Sequence, residues 1–333
     1  MLSNSFLVTG GAGFIGSNLC DYLLKNNYKI IVIDNFNNFY NPEIKRNNIS
    51  EIKDLMKTSN ISQDNLVIEE GDLRDIAFLS KVFSSHKIHT VIHLAAMAGV
   101  RPSIINPLLY DEVNIRGTLN LLDLCNKFGI NKFIFASSSS VYGNNKKLPF
   151  AESDSVDFPI SPYAATKKSG ELLGHVYSHL YGINIACLRF FTVYGPRQRP
   201  DLAIYKFTKQ ILKEEEICIF GDGATERDYT YVDDIIQGID KAITWSSTGS
   251  HKYEVFNLGR SDTIKLNYMV NRLESELGIK AKIKYLPMQP GDVTITYADI
   301  LKSKEILGYN PLTKFDDGIS KFVRWYLTSP ENR

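Results

Sequence analysis

The sequence is poor in the features that mark secreted, membrane-spanning or metal-stapled chains. Its four cysteines lie far apart and without metal-ligand spacing, which favours buried reduced thiols over disulfides or a zinc site. No window approaches the roughly 18 consecutive apolar residues of a membrane span. The first apolar stretch, residues 6–8, is too short for the core of a signal peptide. These absences predict a cytoplasmic protein without a metal centre.

The chain also lacks an excess of charge of either sign. Its net charge is +1, and its lysines and carboxylates are interspersed rather than grouped in blocks. No bulk electrostatic attraction to nucleic acid or to a membrane surface is therefore expected. With 333 residues, no internal repeat and no low-complexity linker, the chain suits one large domain or two that pack directly.

The N-terminal part alternates short apolar runs with segments of helical length. Runs this short and apolar on both faces predict a parallel sheet that is covered by helices on both sides. A helix is predicted over Pro162–Tyr181, with Ser161 as its N-cap and Gly182 just after its end. The predicted strands are residues 6–9, 30–34, 66–69, 91–94, 133–137 and 185–190.

The last third of the chain has more turns and shorter elements. The sequence therefore predicts an α/β protein: a Rossmann-like, doubly wound parallel sheet with a smaller C-terminal substrate domain. The expected boundary leaves residues 1–190 in the sheet domain and most of residues 191–333 in the substrate domain. A later strand from residues 230–260 is expected to return to the sheet.

A glycine-rich turn follows the first predicted strand and opens a helix. Gly10 permits a tight turn, Gly13 lets the backbone approach a pyrophosphate, and Gly16 allows close packing of helix on strand. Phe14 and Ile15 begin the helix, whose N-terminus would receive the pyrophosphate. A glycine trio alone is weak evidence, but its place between strand and helix predicts a dinucleotide site.

Asp34, at the end of the second strand, indicates which dinucleotide is bound. A carboxylate there accepts the ribose hydroxyls and repels a 2′-phosphate, and Asn35 and the residue after it supply no arginine to neutralise that phosphate. NAD is therefore favoured over NADP. Asp72 and Leu73, after the third strand, either lie near the adenine or form a simple turn. Further residues assigned to the cofactor site are Leu94, Ala95 and Ala96.

A tyrosine and a lysine share one face of the predicted helix over Pro162–Tyr181. Tyr163 and Lys167 are four residues apart, and a nearby ammonium can lower the pKa of a tyrosine from about 10 by about 1–3 units. Tyr163 would then act as a general base. The pair alone is common on helix surfaces. Hydroxyls at the end of the fifth strand, residues 137–140, strengthen the functional interpretation.

The glycine turn, the run Ser-Ser-Ser-Ser-Val-Tyr-Gly and residues 162–167 together resemble extended short-chain dehydrogenases that act on nucleotide sugars. The resemblance implies Ser138, Tyr163 and Lys167 as catalytic residues, with the last two also contacting NAD. It implies oxidation at C4 of the sugar, a 4-keto intermediate and reduction from the other face. It also implies a homodimer that pairs through residues 108–127 and Pro162–Tyr181.

Within that family, the residues after the catalytic hydroxyl distinguish reactions. The 4,6-dehydratases carry an Asp-Glu pair there to expel water, whereas this chain has Ser139 and Ser140. Without a positioned acid and base the elimination should be slow. The resemblance therefore implies an epimerase rather than a dehydratase.

Residues 34–40, 98–101, 192–201 and 221–234 most resemble UDP-glucuronate 4-epimerases. The expected reaction is conversion of UDP-glucuronate to UDP-galacturonate. A uronate needs a cation and hydroxyls for its carboxylate, which Arg199 and Thr192 could supply. Arg227 resembles a diphosphate contact and Asp292 a contact to the nucleotide ribose. The other candidate substrate-binding residues are Arg101, Ser139 and Ser140.

Two departures keep other reactions open. Galactose-type relatives carry an arginine where this chain has Gln289, which weakens any argument copied from them. They carry a bulky tyrosine where this chain has Thr296, and the smaller threonine leaves room for an N-acetylhexosamine. The alternative is therefore a UDP-N-acetylglucosamine or UDP-glucose 4-epimerase. A decarboxylase, a dehydratase or a ketosugar reductase would share the same catalytic residues. A non-catalytic NAD-sensing protein is disfavoured because Tyr163 and Lys167 are both present.

Overall fold

The computed structural model describes residues 5–249, 252–287 and 293–329. Its strands are β1 (Ser5–Thr9), β2 (Lys29–Asp34), β3 (Leu66–Glu70), β4 (Thr90–His93), β5 (Lys132–Ser138), β6 (Asn184–Phe190), β7 (Thr192–Tyr194), β8 (Glu216–Phe220), β9 (Glu226–Arg227), β10 (Tyr229–Tyr231), β11 (Tyr253–Leu258), β12 (Ile264–Lys265) and β13 (Lys282–Leu286). Its helices are α1 (Phe14–Lys25), α2 (Pro42–Thr58), α3 (Ile76–Ser85), α4 (Val100–Ile105), α5 (Pro107–Tyr110), α6 (Gly117–Lys127), α7 (Pro162–Tyr181), α8 (Ala203–Leu212), α9 (Val232–Ser246), α10 (Leu266–Leu277) and α11 (Phe315–Thr328).

Seven parallel strands form the central sheet, in the order β3-β2-β1-β4-β5-β6-β11. The chain starts in the middle, winds outward to β3, and then returns to wind outward on the other side. The predicted Rossmann-like, doubly wound sheet is confirmed. Because β11 pairs with β6 from Tyr253 to Leu258, the sheet includes residues far beyond 190. The division of the chain at residue 190 stays a prediction.

Successive residues of each central strand enter two different hydrophobic cores. Val8 and Ile134 face the core under α1, α2 and α9. Their neighbours Leu7 and Phe133 face the core under α3, α6 and α7. Since side chains alternate across a strand, a sheet covered on both faces requires apolar residues at nearly every position. This explains the continuous apolar runs in the sequence.

Helix α7 begins and ends where the sequence predicts. The Ser161 hydroxyl accepts a hydrogen bond from the Ala164 N–H at 3.1 Å, and Pro162 occupies the first turn. Gly182 closes the helix with a left-handed φ of 70°, which glycine adopts without steric cost. These two caps fix the helix on which Tyr163 and Lys167 lie.

Outside the central sheet, the described residues form three two-stranded sheets: β7 with β10, β8 with β13, and β9 with β12. Asp228, between β9 and β10, ties this part to the central sheet. Its carboxylate accepts hydrogen bonds from the backbone N–H groups of Arg260, Ser261 and Ala298. Among the described residues, no helix combines the length and apolar character that crossing a membrane requires.

Candidate active site

A cavity of about 390 Å³ opens at the carboxyl ends of the central strands. It is lined by every residue that the sequence assigns to the cofactor and to catalysis. These are Gly10, Gly13, Phe14, Ile15, Gly16, Asp34, Asn35, Asp72, Leu73, Leu94, Ala95, Ala96, Ser138, Tyr163 and Lys167. Thr192 and Arg199 line the same cavity. Residues from distant segments of the chain thus meet at one site, as expected at the switch point of a doubly wound sheet.

The glycine turn has the shape of a phosphate cradle. Gly10 has a φ of 71°, and a Cβ there would stand 2.8 Å from the backbone of Ala95. A Cβ on Gly16 would stand 2.1 Å from the Gly10 carbonyl oxygen, so only glycine lets α1 pack this closely. Gly13 caps α1 without a side chain, and the first turn carries no acidic residue. The helix N-terminus therefore fits the pyrophosphate of NAD.

Asp34 is buried at the end of β2 and held in place by the backbone. Its carboxylate accepts hydrogen bonds from the N–H groups of Ala12, at 3.2 Å, and Phe36, at 2.9 Å. The Nζ atom of Lys45 lies 3.7 Å from Asp34 Oδ1. Sequence reasoning missed Lys45, because it lies in α2, eleven residues after Asp34, where no local spacing connects the two.

Asp72 both forms a turn and lines the cavity. Its carboxylate accepts hydrogen bonds from the Arg74 guanidinium at 2.9 Å and from Asn35 Nδ2 at 3.0 Å. The hydrogen bond from Arg74 is the main reason that the pKa of Asp72 falls to about 2. Asp72 thus fixes Asn35 beside Asp34, while its own contact to the adenine stays a prediction.

The three candidate catalytic side chains lie together. Ser138, Tyr163 and Lys167 line the same cavity, and Ser138 Oγ donates to Ser140 Oγ at 3.1 Å. Lys167 Nζ donates to the backbone oxygen of Ala136 at 2.7 Å. Burial lowers the pKa of Lys167 to about 7. The serine, tyrosine and lysine therefore converge on the end of β5.

The expected effect of Lys167 on Tyr163 is corrected by the structure. Burial raises the pKa of Tyr163, and the influences that oppose this are the hydrogen bond with Ser138 and the charge of Arg199. The Lys167 ammonium is directed at a carbonyl of β5 instead. Because the phenol is buried, its ionised form loses contact with water, which raises the pKa of Tyr163. This effect is larger than the opposite effect of the Arg199 charge.

A second cavity, of about 190 Å³, adjoins the first and shares Ser139, Ser140 and Thr192 with it. Arg227 and Thr296 also line this second cavity. Four predicted substrate residues are therefore brought together. The predicted ribose contact, Asp292, and the departure at Gln289 lie outside the described residues.

Arg199 and Arg101 differ in their surroundings. The Arg199 guanidinium is bound by both carboxylate oxygens of Asp201, at 3.0 and 2.7 Å, and lies 5.4 Å from the centre of the Phe39 ring. Arg101 is an exposed residue of α4 whose guanidinium lies 4.9 Å from the centre of the Phe220 ring. Arg199 lines the cavity beside Tyr163, whereas Arg101 lies at the surface. Sequence reasoning missed both aromatic neighbours and the carboxylate partner.

A buried ion pair supports the catalytic end of β5 and was also missed. Glu171 accepts two hydrogen bonds from Arg189, both at 2.8 Å, and one from Ser137 Oγ at 2.6 Å. Neutralisation of a buried charge by a two-point contact and a hydroxyl offsets its desolvation. The only sequence signal was the place of Glu171, one helical turn after Lys167.

Comparison with known proteins places this site in a family. The family model described as GDP-mannose 4,6 dehydratase matches residues 7–322. The chain is 43% identical over 321 residues to UDP-glucuronate 4-epimerase from Thermodesulfobacterium geofontis, a match that covers 96% of this chain and 95% of the relative.

Two solved structures are also similar. UDP-glucuronic acid 4-epimerase from Bacillus cereus, in complex with UDP-glucuronic acid and NAD, has a TM-score of 0.87 and 37% identity over 96% of this chain and 98% of the other. UDP-N-acetylglucosamine 4-epimerase from Methanobrevibacter ruminantium, in complex with UDP-N-acetylmuramic acid, has a TM-score of 0.84 and 33% identity over 98% and 99%. Since these likenesses extend along almost the whole chain, the predicted resemblance to extended short-chain dehydrogenases is confirmed, and the chain belongs to the GDP-mannose 4,6-dehydratase family.

Proposed function

We propose that the protein is an NAD-dependent UDP-sugar 4-epimerase whose main reaction interconverts UDP-glucuronate and UDP-galacturonate. One observation carries the proposal. The cavity that holds the glycine turn and Asp34 also holds Tyr163 and the cation Arg199. A group that removes a proton and a group that binds a carboxylate thus face the same space as the cofactor site.

The side chains divide the chemistry among them. The glycine turn and Asp34 would hold NAD, which would supply reversible hydride transfer at C4 and a nicotinamide cation that favours the phenolate of Tyr163. Tyr163 takes the proton of the C4 hydroxyl and gives it back in the return step. Ser138, which lines the cavity together with Tyr163, would orient the C4 hydroxyl. Lys167, buried on the same helix, donates to the Ala136 carbonyl and so holds α7 against the end of β5 that carries Ser138.

Epimerisation is favoured over dehydration because of the two serines after Ser138. Ser139 and Ser140 line both cavities, at the positions where dehydratases carry an acid and a base. Elimination of water needs a group to protonate the leaving hydroxyl and another to remove the C5 proton. Serine hydroxyls do neither at neutral pH.

A uronate substrate explains the place of Arg199. Its side chain is 19% exposed and is paired with Asp201, which fixes the guanidinium at the wall of the cavity before a substrate binds. The 4-ketone of a uronate is β to the carboxylate, which makes loss of CO₂ easy if the carboxylate rotates freely. A cation and the Thr192 hydroxyl would hold it in place.

UDP-N-acetylglucosamine is the second candidate substrate. Thr296 lines the second cavity with a side chain far smaller than tyrosine, which leaves room for an N-acetyl group. The solved UDP-N-acetylglucosamine 4-epimerase is similar along the whole chain.

The active unit that we propose is a cytoplasmic homodimer. Residues 108–127 and α7 expose apolar side chains, which would be covered if two copies of these helices packed together. The exposed residues are Leu108, Leu119, Leu172, Val176, Leu180 and Tyr181. Buried free thiols at Cys20, Cys125 and Cys187 suit a reducing compartment.

Separation of products tests the proposed reaction directly. The purified protein is incubated in parallel with UDP-glucuronate, UDP-glucose and UDP-N-acetylglucosamine, with Tyr163→Phe as the inactive control. We expect UDP-galacturonate from the first, at the highest rate. Release of CO₂ with a UDP-pentose would identify a decarboxylase instead. Turnover of UDP-N-acetylglucosamine alone would show that the proposed substrate is wrong but would agree with the proposed mechanism.

A further inference from the structure

A buried cation stands beside the carboxylate that selects the cofactor. Lys45 Nζ lies 3.7 Å from Asp34 Oδ1, and the two side chains are only 7% and 6% exposed. Both residues line the cofactor cavity. A lone carboxylate at this position repels a 2′-phosphate, but this carboxylate has a positive charge within ion-pair distance.

Lys45 is held in place by more than Asp34. Its ammonium donates to Asn37 Oδ1 at 3.2 Å and to the Asn37 carbonyl at 3.4 Å, and it lies 5.1 Å from the centre of the Tyr40 ring. These interactions come from the loop that follows Asp34 and do not involve the carboxylate. The ammonium should therefore keep its place when the charge of Asp34 is removed.

We propose that Lys45 can bind the 2′-phosphate of NADP, and that its ion pair with the carboxylate of Asp34 prevents this in the wild-type protein. In the natural protein, Asp34 accepts the ribose hydroxyls and neutralises Lys45, so that the pair presents no net charge. With Asp34 neutralised, the ammonium would face the ribose alone and attract a phosphate dianion. Cofactor choice would then depend on the pair rather than on Asp34 by itself.

A second cation close by provides a matched control. Arg46 follows Lys45 in α2, and its guanidinium lies 4.6 Å from the centre of the Phe36 ring. Its side chain is 48% exposed and is paired with Glu70 at 3.1 Å. A more exposed charge with a carboxylate partner should contribute less to phosphate binding than a buried one.

The experiment measures cofactor exchange on the intact holoenzyme. Wild type, Asp34→Asn, Asp34→Asn/Lys45→Met and Asp34→Asn/Arg46→Met are each incubated with an equimolar excess of NAD⁺ and NADP⁺ and freed of unbound nucleotide. They are then denatured, and the released nucleotides are quantified. The ratio of NADP to NAD is read on folded protein only, so partial loss of folding does not disturb it. Lys45→Gln replaces Lys45→Met if the latter does not fold.

Asp34→Asn should raise the NADP-to-NAD ratio at least about tenfold over wild type, because the Lys45 ammonium loses its carboxylate partner and can form a charge-assisted bond to the phosphate. Adding Lys45→Met should remove most of that increase, whereas adding Arg46→Met should preserve it. The proposal is overturned if Asp34→Asn leaves the ratio unchanged, or if the increase survives Lys45→Met. The assay contains no sugar, so its outcome is independent of the reaction proposed above.

Discussion

The two sides of the active-site cavity are built by different means. On the cofactor side the backbone makes the site: Gly10 and Gly16 leave no room for side chains, and the first turn of α1 supplies the N–H groups. On the sugar side the side chains make it, and the longest of those in the first cavity, Arg199, is held by a carboxylate two residues away. A site formed by tightly packed backbone tolerates almost no substitution. In a site formed by side chains, a substitution can alter one interaction and leave the others in place.

The difference suggests how one fold serves several sugars. The glycine turn of the cofactor side can stay fixed, since a side chain at Gly16 would displace α1 from the sheet. The sugar side is assembled from β7, the loop that carries Arg199 and the segment around Thr296, whose backbone is hydrogen-bonded to Glu226 and Asp228. We therefore expect substitutions on the two sides to fail in distinct ways.

The largest effect is expected at the point where the two sides meet. Tyr163→Phe should reduce kcat by about a hundredfold or more, because general bases contribute about 10²–10⁴. NAD should stay bound, and its content after denaturation is the second measurement. Lys167→Ala should be comparably slow but should also retain less NAD.

Tyr110→Phe is the matched control for that tyrosine. Its ring lies 6.3 Å from the ring of Tyr163, and its hydroxyl donates to the Ala98 carbonyl rather than into the catalytic group. Its kcat should stay near that of wild type. Near-normal turnover by Tyr163→Phe would show that another group takes the proton.

The sugar side should show substrate-selective losses. Arg199→Ala should lower kcat/KM for UDP-glucuronate by about ten- to a hundredfold, since a charge-assisted hydrogen bond contributes about 1.5–3 kcal/mol. UDP-glucose has no carboxylate and should be nearly unaffected. Thr192→Val should give a milder version of the same pattern. Equal losses for both sugars would indicate that Arg199 holds the diphosphate or the loop.

The cofactor side should instead lose NAD and stability together. Gly16→Ala places a Cβ 2.1 Å from the Gly10 carbonyl oxygen, so α1 must move, at a cost of about 1–3 kcal/mol. Denaturant unfolding and NAD content measure the two effects. Gly174→Ala is the control and should keep its NAD, because the added Cβ would lie 3.3 Å from its nearest neighbour, Ile185 Cγ2. Full NAD retention by Gly16→Ala would contradict the described cradle.

A smaller effect is expected on the pH dependence of stability. The folded chain holds Lys167 with a pKa of about 7, below its ordinary 10.5, so it releases a proton that the unfolded chain keeps. Wild-type stability should therefore rise relative to Lys167→Met between pH 7 and 10, by at most about 1.4 kcal/mol per pH unit. Denaturant unfolding at several pH values measures the gap between the unfolding free energies of wild type and Lys167→Met. A constant gap would show that Lys167 keeps its proton in the folded protein.

Features set by local sequence could be predicted, and those set by distant parts of the chain could not. The caps of α7, the strand before Gly10 and the glycine turn depend on neighbouring residues only. Lys45 reaches Asp34 from another helix, and Arg189 reaches Glu171 from β6 to α7, so neither spacing is visible in the chain.

The direction of the Tyr163 pKa was wrong for a related reason. Sequence gives the spacing of Tyr163 and Lys167 but not their burial, and burial determines the sign. The small sheets were predicted only as turn-rich sequence, because each pairs segments that are far apart along the chain.

The proposed epimerisation requires that hydride leave C4 and return to the same carbon within one enzyme. UDP-glucuronate carrying deuterium at C4 tests it most directly, with the purified holoenzyme in ordinary water and no added cofactor. We predict UDP-galacturonate that keeps its deuterium at C4. Product with hydrogen from solvent at C4, or turnover that requires added NADH, would contradict the proposed hydride transfer.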